Sequence, residues 1–151
     1  MRFKYLFIVL FPIVSVSSFF SQVSTIDFQL ANKYYLDRDY EKAALYYEKI
    51  FKESEHRLKI YENYKSTFIE LNKFKEAEKL IKTLIKENPN KLKFLVDLGV
   101  IYGLVDRSDK KNQVFDKAIE QIIKETSYDN AFDLGLAFEK IGNLEKALEV
   151  Y

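Results

Sequence analysis

Apolar residues recur along the chain at separations of three, four and seven, which places them on one buried stripe of an α-helix. The stripes occur in pairs, and four pairs follow one another. The stripes of the first helices contain Leu30, Ala31 and Tyr34; Tyr61, Tyr64 and Phe68; Leu95, Leu98, Gly99 and Tyr102; and Ala131, Leu134, Gly135 and Phe138. Those of the second helices contain Ala43, Tyr47 and Ile50; Ala77, Ile81 and Leu84; Phe115 and Ala118; and Ala147 and Tyr151. The pattern predicts about three and a half helical hairpins, because the fourth pair is incomplete.

A second pattern repeats at the start of the second helices. Residues 39–43, 73–77 and 143–147 each read polar, bulky, charged, charged, alanine. The steps between the bulky residues are 34, 34 and 36, from Tyr40 to Phe74, a degenerate Ser108 and Leu144. A period in this range is typical of a stacked array of supersecondary units, in contrast to a single closed core.

The combined motif resembles the tetratricopeptide repeat, whose pattern is W-x2-L-G-x2-Y, then A-x3-F, then P within about 34 residues. The first-helix part is present as Leu98-Gly99 with Tyr102, Leu134-Gly135 with Phe138, Leu30-Ala31 with Tyr34, and Tyr64-Lys65 with Phe68. The second-helix part is present as Ala43 with Tyr47, Ala77 with Ile81, and Ala147 with Tyr151, and Pro89 fills the proline position.

The resemblance implies an all-α, right-handed solenoid of helix-turn-helix repeats over residues 24–151, and a signal peptide is expected before it, at residues 1–21. The repeats are expected at about 24–57, 58–91, 92–127 and 128–151, the last one incomplete. In each repeat a Gly or Ala lets the two helices approach closely, and an aromatic residue fills the adjacent gap. Lys65 and Lys111 replace small residues, and we expect looser packing there, with the stem on apolar surface and the head in water.

The first residues read in the order basic, apolar, small, which is the order of a secretory signal peptide. A basic start at 1–4 precedes an apolar stretch at 5–16, and small residues follow. Cleavage is expected after Ser18 or Ser21, and the mature chain is expected in the periplasm or cell envelope. The alternative is a retained membrane anchor, but the apolar stretch is short for a span of about 20 residues and Pro12 interrupts it.

Composition narrows the classes of function. The formal net charge is +1, and lysines alternate with glutamates as on a solvated helix face, so nucleic acid is not an expected partner. Cysteine is absent, which excludes disulfides, thiolate metal sites and cysteine nucleophiles. His56, the only histidine, lies beside Glu55 and Arg57 and is interpreted as a surface residue. We expect no catalytic site, metal or cofactor in these residues.

The resemblance also predicts where a partner binds, because the first helices line the concave face in arrays of this kind. The predicted groove residues are Phe28, Asn32, Tyr35 and Leu36; Glu62, Ser66, Ile69 and Glu70; Val96, Val100 and Leu104; and Phe132, Leu136 and Glu139. This apolar and aromatic surface with a few carboxylates suits an extended or helical peptide with an apolar anchor. The alternative is that these residues pack against neighbouring helices.

Some repeats of the family hold a partner's C-terminal carboxylates with lysines and asparagines of this face. Asn32, Asn63 and Lys93 match those positions, but Phe28 and Asp97 stand where two basic residues belong. A carboxylate clamp that lacks half of its cations is not expected.

The resemblance therefore predicts a non-catalytic protein–protein interaction scaffold that binds a partner peptide or helix in the concave groove. An alternative is the N-terminal sensor region of a longer signalling protein of the histidine kinase type. A third interpretation is an enzyme whose catalytic domain lies downstream. Because the fourth repeat stops at Tyr151, roughly ten residues short of the motif, we expect a C-terminally truncated array or the N-terminal part of a longer protein.

Overall fold

The computed structural model describes residues 17–125 and 127–151, with the backbone alone for residues 17–24, Ser54 and Glu125. Over these ranges the chain forms eight α-helices, and a 3₁₀ turn at Ser54–His56 precedes the third. The helices are Ser17–Leu36 (α1), Tyr40–Phe51 (α2), Arg57–Glu70 (α3), Phe74–Glu87 (α4), Lys93–Leu104 (α5), Ser108–Glu125 (α6), Tyr128–Lys140 (α7) and Leu144–Val150 (α8). The predicted all-α fold of successive helical hairpins is confirmed.

The first helix begins before the predicted start of the array at residue 24. Because α1 starts at Ser17, the predicted cleavage positions after Ser18 and Ser21 lie in its first turns. The rest of the predicted signal peptide, residues 1–16, lies outside the described residues. Among the helices that are described, none is both long and apolar enough to cross a membrane.

Each helix packs against its neighbours along the chain. α1 pairs with α2, α3 with α4, α5 with α6 and α7 with α8, and successive hairpins meet where α2 contacts α3, α4 contacts α5 and α6 contacts α7. First helices also contact each other directly, α1 with α3 and α5 with α7. Contacts between nearest neighbours are the arrangement of a solenoid.

The two helices of a repeat cross closely at a small residue. A Cβ atom added to Gly99 would lie 2.1 Å from the ring of Phe115, and one added to Gly135 would lie 2.4 Å from the ring of Tyr151. In both repeats the two residues are 16 positions apart. The close approach predicted at the small residue is therefore present in both repeats, and the ring beside the glycine comes from α6 in the third repeat and from Tyr151, directly after α8, in the fourth.

The turn inside each hairpin has the same geometry in all four repeats. One residue per turn adopts a positive φ: Arg38 (60°), Asn72 (55°), Asp106 (57°) and Gly142 (74°). The next amide donates to the carbonyl oxygen of an aromatic residue five positions earlier, at 2.8–2.9 Å: Asp39 to Tyr34, Lys73 to Phe68, Arg107 to Tyr102 and Asn143 to Phe138. These are the hydrogen bonds of a Schellman helix end, which satisfy carbonyl groups that the helix leaves unpaired.

The apolar core consists of two clusters that meet at α5. The first cluster joins α1, α2, α3 and α4 to one side of α5, namely Phe94, Leu98, Ile101 and Tyr102. The second joins α6, α7 and α8 to Leu95 and Val96, also of α5. Because α5 is packed on both sides, its sequence is apolar nearly all round, whereas the other helices keep a polar face.

Replacing Arg38 by glycine is expected to stabilise the array, because positive φ strains a residue with a Cβ atom and does not strain glycine. The free energy of unfolding should rise by about 0.5–1 kcal/mol, which is the relieved strain less the larger entropy of glycine in the unfolded chain. Urea denaturation followed by circular dichroism measures the change. The control is Lys117→Gly in the exposed interior of α6, which should cost about 1 kcal/mol. A destabilised Arg38→Gly variant would contradict the turn geometry.

Candidate protein-binding groove

A cleft of about 210 Å³ lies between the first helices α3, α5 and α7. Three of the predicted groove residues meet there: Glu62 of α3, Val96 of α5 and Leu136 of α7. The cleft is also lined by Lys65, Lys93, Asp97, Asp133, Ala137 and Lys140. We call the surface formed by these nine residues the concave groove. Six of the nine are charged, so the groove is more polar than the apolar and aromatic surface that the sequence predicts.

Several predicted groove residues pack against the molecule itself. Phe28, Tyr35 and Ile69 are half-buried against the first core cluster. The ring of Tyr35 lies edge-on to the ring of Tyr47, with 6.5 Å between the ring centroids. These three side chains therefore follow the alternative interpretation, in which such residues pack against neighbouring helices.

Val96 and Val100 do not offer the free groove surface that the sequence predicts. Val96 is 1% exposed because it belongs to the second core cluster, and only the floor of the cleft reaches it. Val100 lines a different cleft, which α5 forms with Phe115 of α6 and the turn before α8. Both differences arise because α5 is packed on two sides, which the spacing of its apolar residues does not reveal.

The remaining predicted residues lie at helix ends or near the C-terminus. Three of the first helices, α1, α3 and α5, end at residues with exposed side chains, which are Leu36, Glu70 and Leu104. Phe132 of α7 is exposed, with its ring centroid 6.2 Å from that of Tyr151. The Tyr151 hydroxyl also donates to Glu139 at 3.2 Å. The chain's own last residue therefore contacts two of the predicted groove residues.

Asn32 links the first two repeats through hydrogen bonds. Its Oδ1 accepts from the Tyr47 hydroxyl at 2.8 Å and from Nδ2 of Asn63 at 3.2 Å. Ser66 lies one turn beyond Asn63 on α3 and is half-buried. At this end of the face, the polar groups predicted to meet a partner are partly used to join α1, α2 and α3.

Lys65 bridges α3 and α5 across the concave groove. Its Nζ lies 2.6 Å from Asp97 Oδ1 and 2.9 Å from Glu62 Oε2. The Tyr61 hydroxyl donates to the other Asp97 oxygen at 2.7 Å, and Lys93 pairs with Glu62. In the described part of the chain, no Cα atom of α3 lies within 8 Å of one in α5. Side chains therefore make this link. The Lys65 ammonium is paired and the whole side chain is 14% exposed, whereas the sequence predicts that its head lies in water.

The charges in this network fix the ionisation of its members. Burial raises the pKa of the Glu62 carboxyl, but Lys93 and Lys65 outweigh burial and hold this pKa below its usual value. Burial lowers the pKa of the Lys65 ammonium, but the Asp97 and Glu62 carboxylates outweigh it and raise this pKa. Burial and the Asp97 charge raise the pKa of Tyr61. None of the three groups is therefore poised to exchange a proton near neutral pH.

Polar residues that face the preceding repeat follow the repeat period. Asn63, Asp97 and Asp133 occupy equivalent positions of α3, α5 and α7, separated by 34 and 36 residues. Asn63 contacts Asn32, Asp97 contacts α3, and Asp133 lines the concave groove. The apolar period alone does not assign these residues a role. The signal that reveals them is a polar residue that recurs two positions before the small-residue position of the motif, which Lys65, Gly99 and Gly135 occupy.

Three neighbouring side chains before α3 form a small polar cluster. Glu53, Glu55 and His56 each place one potential metal-ligand atom within 4.8 Å of the others, and His56 Nε2 lies 3.1 Å from a Glu55 oxygen. Both glutamates are exposed. The cluster follows from the sequence proximity of the three residues at the 3₁₀ turn, and we assign it no ligand.

Residues 34–93 match the tetratricopeptide repeat family. The matched segment runs from the end of α1 to the start of α5. The two hairpins beyond it have the same turn geometry, and both show the close helix crossing that the motif requires. Residues 34–93 are therefore identified as tetratricopeptide repeats, and the described hairpins beyond them continue the same architecture. Proteins of this family are generally non-catalytic and bind other proteins, so the fold suggests a protein–protein interaction scaffold.

Solved structures share this fold. The crystal structure of MamA protein superposes with a TM-score of 0.56 at 20% identity, over 87% of this chain and 70% of that chain. A second crystal structure of MamA gives a TM-score of 0.53 at 19% identity, over 84% of this chain and 73% of that chain. At these identities the likeness concerns the fold alone. No curated protein matches the sequence of the chain.

Breaking the bridge between α3 and α5 is expected to destabilise the array. Asp97→Asn keeps an acceptor for Tyr61 but leaves Lys65 without its closest carboxylate, which should lower the free energy of unfolding by about 2 kcal/mol. A double-mutant cycle with Lys65→Met should give a coupling energy of about 1–2 kcal/mol in urea denaturation.

The control for this cycle is the pair between Lys146 and Asp116, whose charged atoms are 2.8 Å apart and whose carboxylate side chain is 61% exposed. Its coupling energy should stay below about 0.5 kcal/mol, because solvent screens the exposed Asp116 carboxylate. Equal coupling energies in the two cycles would show that the link between Lys65 and Asp97 has no special role.

Proposed function

We propose that the chain is a non-catalytic scaffold that holds a peptide or helix of a partner protein in the concave groove. The observation that carries the proposal is the combination of apolar and charged groups between α5 and α7. Leu136 and Ala137 are half-buried there, and Asp133 and Lys140 flank them on the same helix. An apolar anchor of the partner would cover Leu136, and its polar groups would meet the flanking charges.

The two flanking charges are available to a partner. Within the described residues, neither Asp133 nor Lys140 takes part in an ion pair, whereas Lys65, Glu62 and Lys93 on the other side of the groove do. A bound segment therefore gains charge-assisted hydrogen bonds at the α7 side without breaking the bridge between α3 and α5. The α7 side is where we place the main contact.

A selection from a random peptide library tests this proposal. The wild-type chain is expected to enrich peptides with an apolar anchor, and Leu136→Glu should weaken their binding at least tenfold, because it places a carboxylate against the anchor. Fluorescence anisotropy with the enriched peptides measures the loss. Lys140→Glu, an exposed substitution, serves as a second variant if Leu136→Glu alters the fold.

The matched control for the groove variants is Leu148→Glu on the exposed side of α8, which is 76% exposed in the wild type. This variant should bind the same peptides as the wild type. If no peptide is enriched, or if all three variants bind them equally well, the concave groove is not the binding surface.

We also propose that the scaffold acts outside the cytoplasm, in the periplasm or cell envelope. The support is the basic, apolar and small order of residues 1–21. Expression with a C-terminal tag in a Gram-negative host, followed by fractionation and intact mass measurement, should give a periplasmic chain that begins at Phe19 or Gln22. A chain that keeps Met1 and stays in the cytoplasm would overturn this location.

A further inference from the structure

The outer face of the first two repeats holds a larger cleft, of about 480 Å³, between the second helices α2 and α4. Within the described ranges, no Cα atom of α2 lies within 8 Å of one in α4. The two helices therefore leave a gap, and α3 forms its floor. We call this surface the α2–α4 groove. It lies on the second helices, so it does not share residues with the concave groove.

The floor of the α2–α4 groove is aromatic. Tyr64 and Phe68 of α3 contribute rings whose centroids are 4.5 Å apart, and the ring of Phe51 at the end of α2 lies 5.8 Å from that of Tyr64. Leu45 stands on the α2 wall and is 66% exposed. This exposed leucine and the aromatic floor beside it form an apolar surface. Its burial by a partner would be favourable for binding.

Acidic residues predominate on the α2 wall of the groove, and basic residues predominate on the α4 wall. Glu41 and Glu48 flank Leu45 on α2 at helical spacing, and Lys52 adds one basic group directly after the helix. Lys73 and Lys79 stand on the α4 side, with Glu76 between them. Within the described part of the chain, none of these six charged side chains forms an ion pair. Most of the charges in the concave groove, in contrast, are already paired. The α2–α4 groove therefore presents charges that its own fold leaves free for a partner.

We propose that the α2–α4 groove docks an amphipathic α-helix of another protein, with an apolar stripe flanked by basic residues on one side and acidic residues on the other. The basic flank would lie along Glu41 and Glu48, and the acidic flank along Lys73 and Lys79. The walls of the groove follow α2, whose 12 residues span about 18 Å, or three turns of a partner helix.

A helix fits this site better than an extended strand. A strand binds by adding its backbone hydrogen bonds to the free edge of a sheet, and the groove is built from helices whose amides are already bonded within the helix. A helix brings its own backbone bonds and needs only side-chain contacts. In cross-section, the apolar floor of the groove matches the apolar stripe of an amphipathic helix, and its charged rims match the charged flanks of that helix.

Synthetic helical peptides of 18 residues test the proposal. All carry the same leucine stripe, and they differ in their flanks, which are lysine and glutamate on opposite sides, lysine on both sides, or glutamate on both sides. Fluorescence anisotropy with the full chain should give a dissociation constant on the order of 10 µM for the mixed peptide. The other two peptides should bind roughly fivefold more weakly, because each mismatches one wall. This comparison does not depend on which way the helix points along the groove.

Substitutions in the walls make the test specific. Leu45→Lys should weaken the mixed peptide roughly tenfold, and the exposure of Leu45 means that the fold is not at risk. The double variant Glu41→Lys with Glu48→Lys should shift the preference to the peptide with glutamate on both flanks. The matched control, Glu120→Lys with Glu149→Lys, changes the net charge equally at exposed positions outside the groove and should not shift the preference.

The peptides and the variants can each contradict this docking site. The proposal would be overturned if the mixed peptide does not bind. It would also be overturned if the control variant, Glu120→Lys with Glu149→Lys, shifts the peptide preference as much as Glu41→Lys with Glu48→Lys does. Self-association of the chain that Leu45→Lys abolishes would assign the groove to a second copy and would also overturn it. Because Leu136→Glu lies in the concave groove, it should leave binding of the mixed peptide unchanged, so failure here and failure of the proposed function are distinguishable.

Discussion

The packing of α5 on both of its sides is the constraint on which the continuity of the array depends. One side of this helix belongs to the core cluster of the first two repeats, and the other side to the cluster of the last two. A single helical hairpin cannot bury its apolar faces alone, so each repeat is stable only against its neighbours. Because α5 supplies Phe94 to one cluster and Leu95 to the other, the two halves share one core element instead of folding as separate units.

The positions of the helices could be predicted because the buried positions recur with the period of an α-helix and are occupied by apolar residues. Gly99 and Gly135 were identifiable for a physical reason, since only a residue without a Cβ atom admits the ring that lies against it. The turns were harder to predict. Arg38, Asn72 and Asp106 occupy positions of positive φ without being glycine, and their common conformation shows only in the repeated hydrogen bonds to the aromatic carbonyl groups.

Which groove side chains are paired or buried could not be predicted from the residue spacing on one face of each helix. Lys65 occupies a position where the motif has a small residue, and its partner Asp97 lies 32 positions further on, so no local pattern connects them. Val96 was predicted to face a partner because its spacing is right, but a helix packed on both sides has no free face at that spacing. Burial against a second neighbour depends on the curvature of the whole stack, which the period of one helix does not contain.

The bridge between α3 and α5 has a mechanical consequence. Neighbouring first helices approach closely at α1 with α3 and at α5 with α7, but α3 and α5 stay further apart and meet through side chains. These contacts are the ion pairs, the Tyr61 hydroxyl on Asp97, and the Tyr61 ring edge-on to Phe94. On the opposite side, α4 packs closely against α5. On the inner side, the interface between the second and third repeats is therefore held by a few polar and aromatic side chains, which set the spacing of α3 and α5. Substituting them would change the angle between these two repeats, and with it the course of the concave face.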